Sequence, residues 1–126
     1  LFRDLKERLR GLADEQFRVP YLNRRRALLE DALIAKGAAD AVRPALQTIV
    51  ARALQTNATG LIAAHNHPSG AAEPREAEQP LTRDLLTAAR PLGLCFLDHV
   101  IVAEEATYSF ADSGLLDELA LEAGVR

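Results

Sequence analysis

Leu61-Ile62-Ala63-Ala64-His65-Asn66-His67-Pro68-Ser69-Gly70 is the stretch on which the fold is decided. Its first four residues complete an apolar run from Thr59 to Ala64, the composition of a short buried strand. Pro68, Ser69 and Gly70 then turn the chain into a loop, with Ser69 and Gly70 shaping the turn. Between strand and turn stand two imidazoles two residues apart. Extended backbone projects residues i and i+2 to the same side, so His65 and His67 can converge on one cation. Hydrolytic zinc sites use three protein ligands and leave one position open for water, whose pKa falls to near ~7. A carboxylate must then take and return the proton. The segment that follows offers Glu73, Glu76 and Glu78 as third ligand. Glu15, in Asp14-Glu15-Gln16-Phe17 at the mouth of the first strand, qualifies as the general base, its other reading being a surface carboxylate at a strand end. His-x-His alone is a weak signal, because such pairs are more often hydrogen-bonded scaffold.

Working outward, periodicity divides the rest of the chain. Leu1, Phe2, Leu5, Leu9 and Leu12 fall at helical spacing, so residues 1–12 form an amphipathic helix ending near Gly11. Phe17–Leu22 and Leu28–Ala35 read as a β-hairpin around Asn23-Arg24-Arg25-Arg26, closed by Gly37. Leu46, Ile49, Val50, Ala53 and Leu54 predict a helix from Pro44 to Thr56, with Pro44 in its first turn and Asn57 as its stop. His65–Gln79 is a loop, Pro80–Leu92 a helix capped by Gly93, Leu94–Ala103 and Thr107–Phe110 strands, and Leu115–Ala123 a final helix. The order α-β-β-α-β-α-β-β-α gives an α/β class: a mixed sheet flanked by helices, in a single domain over residues 1–126.

Composition sets limits on function. With 48% hydrophobic and 26% charged residues the chain has the make-up of an ordinary globular domain. Its core must be aliphatic, since it has no Trp, two Tyr and four Phe. A net charge of −3 argues against a domain devoted to gripping phosphate backbones. Arg24-Arg25-Arg26 reads as a solvated turn. The single cysteine, Cys95, excludes an internal disulfide and any Cys-x-x-Cys motif, and its apolar surroundings make it a buried structural thiol. No apolar stretch approaches the ~20 residues of a bilayer span, and no signal-peptide pattern opens the chain, so a cytoplasmic protein without membrane contact is expected. A first residue of Leu reads as the start of a fragment of a longer chain.

His65-Asn66-His67-Pro68-Ser69-Gly70, preceded by Leu61-Ile62-Ala63-Ala64, resembles the signature of the RadC family. Asp98-His99-Val100-Ile101-Val102, Ser109-Phe110 and Gly114-Leu115-Leu116 resemble its downstream elements, and Glu15-Gln16-Phe17 the opening of its first strand. The similarity spans about Leu12 to Leu116. It implies a helix-hairpin-helix segment ahead of this domain in full-length members, and a family name that points to DNA repair. It also implies the JAMM motif of the MPN-type zinc metalloproteases on a cytidine-deaminase-like architecture. By that resemblance Glu15 is the catalytic acid/base, His65 and His67 are zinc ligands, and the ligand aspartate is replaced by Glu78. Arg75 stands at the motif's serine, and Leu46-Gln47-Thr48 replaces a Pro-Arg-Glu in the preceding helix. Pro80, five residues after Arg75, would clash with the carbonyl of Glu76 in a continuous helix, which would start the helix at Gln79 or Pro80 and turn Glu78 away from the histidines.

Two further residues have their own readings. His99 is expected as a core histidine hydrogen-bonded to the Asp98 carboxylate, with Asp98 placed to support a ligating side chain. The implied function is hydrolysis of an amide, peptide or isopeptide carbonyl by a RadC-like zinc enzyme, with a peptide or protein substrate. DNA association is implied by the resemblance only. The rival is a non-catalytic MPN-type module for protein or DNA association. A zinc deaminase would need His-x-Glu with Pro-Cys-x-x-Cys, which one cysteine cannot supply. The letters His-Asn-His lack the third nearby histidine and the setting of a nuclease.

Overall fold

The structure, a computed structural model, describes residues 2–37, 44–68 and 70–124. Its elements are α1 (Phe2–Leu9), β1 (Glu15–Leu22), β2 (Leu28–Gly37), α2 (Leu46–Thr56), β3 (Gly60–Asn66), α3 (Gln79–Ala89), β4 (Cys95–Val102), β5 (Thr107–Ser109) and α4 (Leu115–Glu122). Short 3-10 turns flank α3 at Glu76–Glu78 and Arg90–Leu92. The α/β class and the mixed, helix-flanked sheet expected from the sequence are therefore present. The sheet order is β2-β1-β3-β4-β5. β1 runs antiparallel to β2 and β3, β3 parallel to β4, and β4 antiparallel to β5.

Alternation along the strands assigns the two faces. Phe17, Val19 and Tyr21 of β1 and Leu61 and Ala63 of β3 pack with Ile49 and Ala53 of α2 and Leu85 and Ala89 of α3. On the opposite face Ala64, Val100 and Val102 are covered by Leu5 and Leu9, which lie one helical turn apart on α1. Ile101, Phe110 and Leu119 form a third cluster that seats α4 beside α3. Glu15 shares the parity of Phe17 on β1, His65 and His67 that of Ala63 on β3, and His99 meets Thr82 of α3, so all four lie on the α2–α3 face. Charged and imidazole groups thus enter a layer that is otherwise apolar.

Several boundaries differ from the periodicity reading, each for a local reason. α1 stops at Leu9 because Gly11 takes a left-handed conformation (φ 79°). Pro44 lies outside α2, whose N-cap is Ala45; Asn57, at φ 57°, ends it as expected. β3 runs past Ala64 to Asn66, because ladder partners continue on both sides: His65 pairs with Phe17 and Ile101, and Asn66 with Val102. Cys95 is exposed rather than buried, since Leu94 and Phe96 point inward and the residue between them points out, beside the Arg26 guanidinium at 3.6 Å. The Arg24–Arg26 segment is a turn, with the Asn23 side chain accepting the N–H groups of Arg25 and Ala27. No helix among the described residues is long and apolar enough to cross a membrane.

Candidate metal centre

The site is assembled by strand register. β3 carries His65 and His67 to its C-terminal end, and the antiparallel pairing of Phe17 with His65 brings the start of β1 alongside. Asn66, on the other face, fastens this junction. Its Oδ1 accepts the Gln16 N–H at 2.7 Å, and its Nδ2 donates to the Asp14 carbonyl at 3.0 Å. Glu15 is held between those two anchor points and is buried. Asn66→Ala removes both of these part-buried hydrogen bonds, which costs about 1–3 kcal/mol. Chemical denaturation is expected to show that loss; an unchanged midpoint would deny the clamp.

The third group arrives from the far side of the loop. Pro80 does not turn Glu78 away from the histidines, as its clash with a continuous helix led us to expect. The chain instead tightens into the 3-10 turn at Glu76–Glu78, and α3 begins at Gln79 with Pro80 in its first turn, where a missing N–H is harmless. Glu78 Oε1 accepts the Arg75 N–H at 2.7 Å, the reciprocal half of a capping box. That bond fixes the carboxylate, and Oε2 lies 2.7 Å from His65 Nε2 and 2.8 Å from His67 Nε2. The two Nε2 atoms are 3.1 Å apart.

Hydrogen-bond accounting shows what this triangle lacks. The Ala71 carbonyl, which can only accept, lies 2.8 Å from His67 Nδ1, so the proton of a neutral His67 sits on Nδ1. Its Nε2 then offers a lone pair toward a carboxylate oxygen that also has only lone pairs. The facing lone pairs of His67 Nε2 and Glu78 Oε2 are reconciled by a proton or a metal cation between them, in addition to the Arg75 guanidinium on Oε2. Burial works against charge on Glu78, but the two imidazoles outweigh it and hold its carboxyl well below the usual carboxylate range. Burial likewise penalises the His67 imidazolium, yet the bonds to Glu78 and the Ala71 carbonyl outweigh it and raise its pKa. Ligand atoms of a tetrahedral zinc site with bonds of about 2.0 Å lie roughly 3.3 Å apart. Edges of 2.7, 2.8 and 3.1 Å are slightly tighter and need a small opening. Two nitrogens and a carboxylate oxygen are the donor set of catalytic zinc, so residues and spacing both fit that ion.

Glu15 completes the constellation: with His65, His67 and Glu78 it forms a group whose candidate ligand atoms all lie within 4.8 Å of one another. Between the two carboxylates stands Arg75. Its Nη1 is 3.3 Å from Glu15 Oε1 and 3.1 Å from Glu78 Oε2. Glu73 and Glu76 are not part of this group. Ser69 lies outside the described residues.

His99 is a buried core histidine as expected, but its imidazole does not bond the Asp98 carboxylate. Asp98 turns to the neighbouring strand, where it accepts the Ser109 hydroxyl at 2.5 Å and the N–H groups of Ala111 and His99. Successive side chains of β4 face opposite ways, so the His99 imidazole cannot meet that carboxylate. It reaches Thr82 Oγ1 at 2.6 Å and His65 Nδ1 at 2.9 Å, and burial with the adjacent His65 pushes its pKa well down. Asn66, Ala71 and Thr82 are contributors that the sequence reading missed. Thr82 carried one available signal: it is a polar residue one turn from Leu85 and Leu86 on the apolar stripe of α3.

Comparison with known proteins gives a family match over most of the chain. Residues 1–115 match the family model described as the RadC-like JAB domain. A UPF0758 protein of Pseudoalteromonas translucida is 39% identical over 108 residues, covering 86% of this chain and 48% of the relative. The UPF0758 protein YfjY of Escherichia coli is 37% identical over 112 residues, 89% of this chain and 70% of its own length. One from Rhodobacter capsulatus is 40% identical over 102 residues, covering 81% and 48% respectively. The chain spans about half the length of the Pseudoalteromonas and Rhodobacter relatives.

Proposed function

Because the chain belongs to the RadC-like JAB domain family, we propose that it is a zinc-dependent hydrolase domain whose ion is held by His65, His67 and Glu78. The observation that carries this reading is the meeting of two Nε2 atoms and a carboxylate oxygen within 3.1 Å of one another. Zinc, when bound, supplies the Lewis acidity that brings a water molecule's pKa near ~7. The protein's own residues supply the rest. Glu15, with a side chain only 2% exposed, is the group that takes a proton from the attacking water. As the C–N bond of an amide, peptide or isopeptide breaks, it returns that proton to the leaving nitrogen. Arg75 Nη1, beside Glu15, stands where a serine hydroxyl is implied by the family pattern, and offers a cation to the developing oxyanion.

Glu15→Gln tests the proton-transfer role. Zinc content is expected to be retained while turnover of a peptide or isopeptide substrate falls by about 10²–10⁴. Full turnover in the variant would remove Glu15 from the mechanism. A second reading has one observation in its favour: Arg75 already places positive charge against both carboxylates. On that reading the domain is a non-catalytic MPN-type module for protein or DNA association. Stoichiometric zinc in the purified protein separates the two, since only the hydrolase needs it.

A further inference from the structure

Thr82 and His99 are fully buried polar residues that the hydrolysis scheme does not use. The His99 ring is stacked on Phe110, with centroids 4.4 Å apart and planes at 7°, and Phe17 meets it edge-on at 5.7 Å. Inside that aromatic sandwich its two nitrogens have separate partners: Nδ1 faces Thr82 Oγ1 at 2.6 Å, and Nε2 faces His65 Nδ1 at 2.9 Å. The opposite nitrogen of His65 is the one aimed at Glu78 Oε2 and His67 Nε2.

The zinc reading requires one proton order along this row, and its far end offers the matching acceptor. Thr82 Oγ1 lies 3.4 Å from the main-chain carbonyl of Glu78, which can only accept. A hydroxyl that donates there is left as an acceptor toward His99 Nδ1, which must then carry the ring proton. His99 Nε2 is left with its lone pair, which takes the Nδ1–H of His65. The lone pair of His65 Nε2 is thereby turned into the site. The reverse order would place hydrogen on His65 Nε2 and block it as a ligand.

We infer that Thr82 and His99 are positioning residues that lock His65 into the tautomer required for metal ligation, an inference that rests on the zinc reading above. Ligating histidines commonly donate their second N–H to a carbonyl or carboxylate, as His67 does to Ala71. For His65 the acceptor is a second histidine, itself oriented by a threonine. The row begins on the carbonyl of Glu78, whose carboxylate is the third ligand, so one residue in the 3-10 turn governs both ends of the site.

The test uses the full chain, zinc competed against a chelator, and three variants. His99→Phe keeps a ring in the aromatic sandwich but removes the acceptor, and is expected to weaken zinc binding by about 10–100-fold. Thr82→Val, close to isosteric, is expected to weaken it several-fold, while Thr82→Ser restores the wild-type value. Imidazole ¹⁵N NMR of the zinc-loaded wild type should show His65 and His99 both protonated at Nδ1, and Thr82→Val should lose the His99 signature while remaining folded. Equal zinc affinity in wild type, His99→Phe and Thr82→Val overturns the positioning role and leaves the zinc reading standing. So does a loaded protein with His99 protonated at Nε2. A wild type that takes up no zinc overturns both.

Discussion

Replacing His67 with alanine is expected to abolish stoichiometric zinc binding in the full chain. The variant removes one of only two nitrogens in the triangle and leaves His65 and Glu78, too few donors for a three-ligand site. It also releases the Ala71 carbonyl, which shapes the loop between β3 and the 3-10 turn. The contrast with His99 sharpens the assignment. His99 has no nitrogen facing the triangle and acts through His65 Nδ1, so its loss should weaken zinc binding without eliminating it. Titration of the variants with zinc under chelator competition reads the difference. Loss of equal size at His67 and His99 contradicts the ligand assignment.

Replacing Arg75 with serine is expected to act in the opposite direction and tighten zinc. A unit charge about 4 Å from a divalent ion is worth roughly 4 kcal/mol per charge at an effective dielectric of 20. The Arg75 side chain is 33% exposed, so solvent and side-chain movement discount most of that. An increase of about ten- to thirtyfold in affinity, or roughly 1.5–2 kcal/mol, is the expected residue of the effect. Serine also matches the residue implied at this position by the family pattern. An affinity that is unchanged or lower in Arg75→Ser would show that the guanidinium is not a competing cation. A rise in affinity together with a fall in turnover would be the signature of a residue that both competes with zinc and stabilises the oxyanion.

The fold was largely legible because its signals are local. Helical stripes on α1, α2 and α3, the hairpin around Asn23, and the apolar run before His65 each specify an element without reference to a distant partner. His65, His67, Glu15 and Glu78 could be named from spacing and resemblance, and the structure brings all four together. What could not be read depends on contacts far apart in sequence. The partners of His99 lie 17 and 34 residues away, and those of Asn66 lie 50 and 52. Pro80 misled for a related reason. The rule against proline inside a helix is sound, but a 3-10 turn lets Glu78 keep its capping bond while the α-helix begins after it. Cys95 misled because an apolar composition does not say which residue of a strand faces out.

Zinc content measured on the purified full chain after exposure to excess zinc and removal of the unbound metal tests the central claim most directly. One zinc per chain in the wild type and none in His67→Ala is the predicted result. A wild type that retains no zinc, or a His67→Ala variant that retains as much as the wild type, would contradict the account.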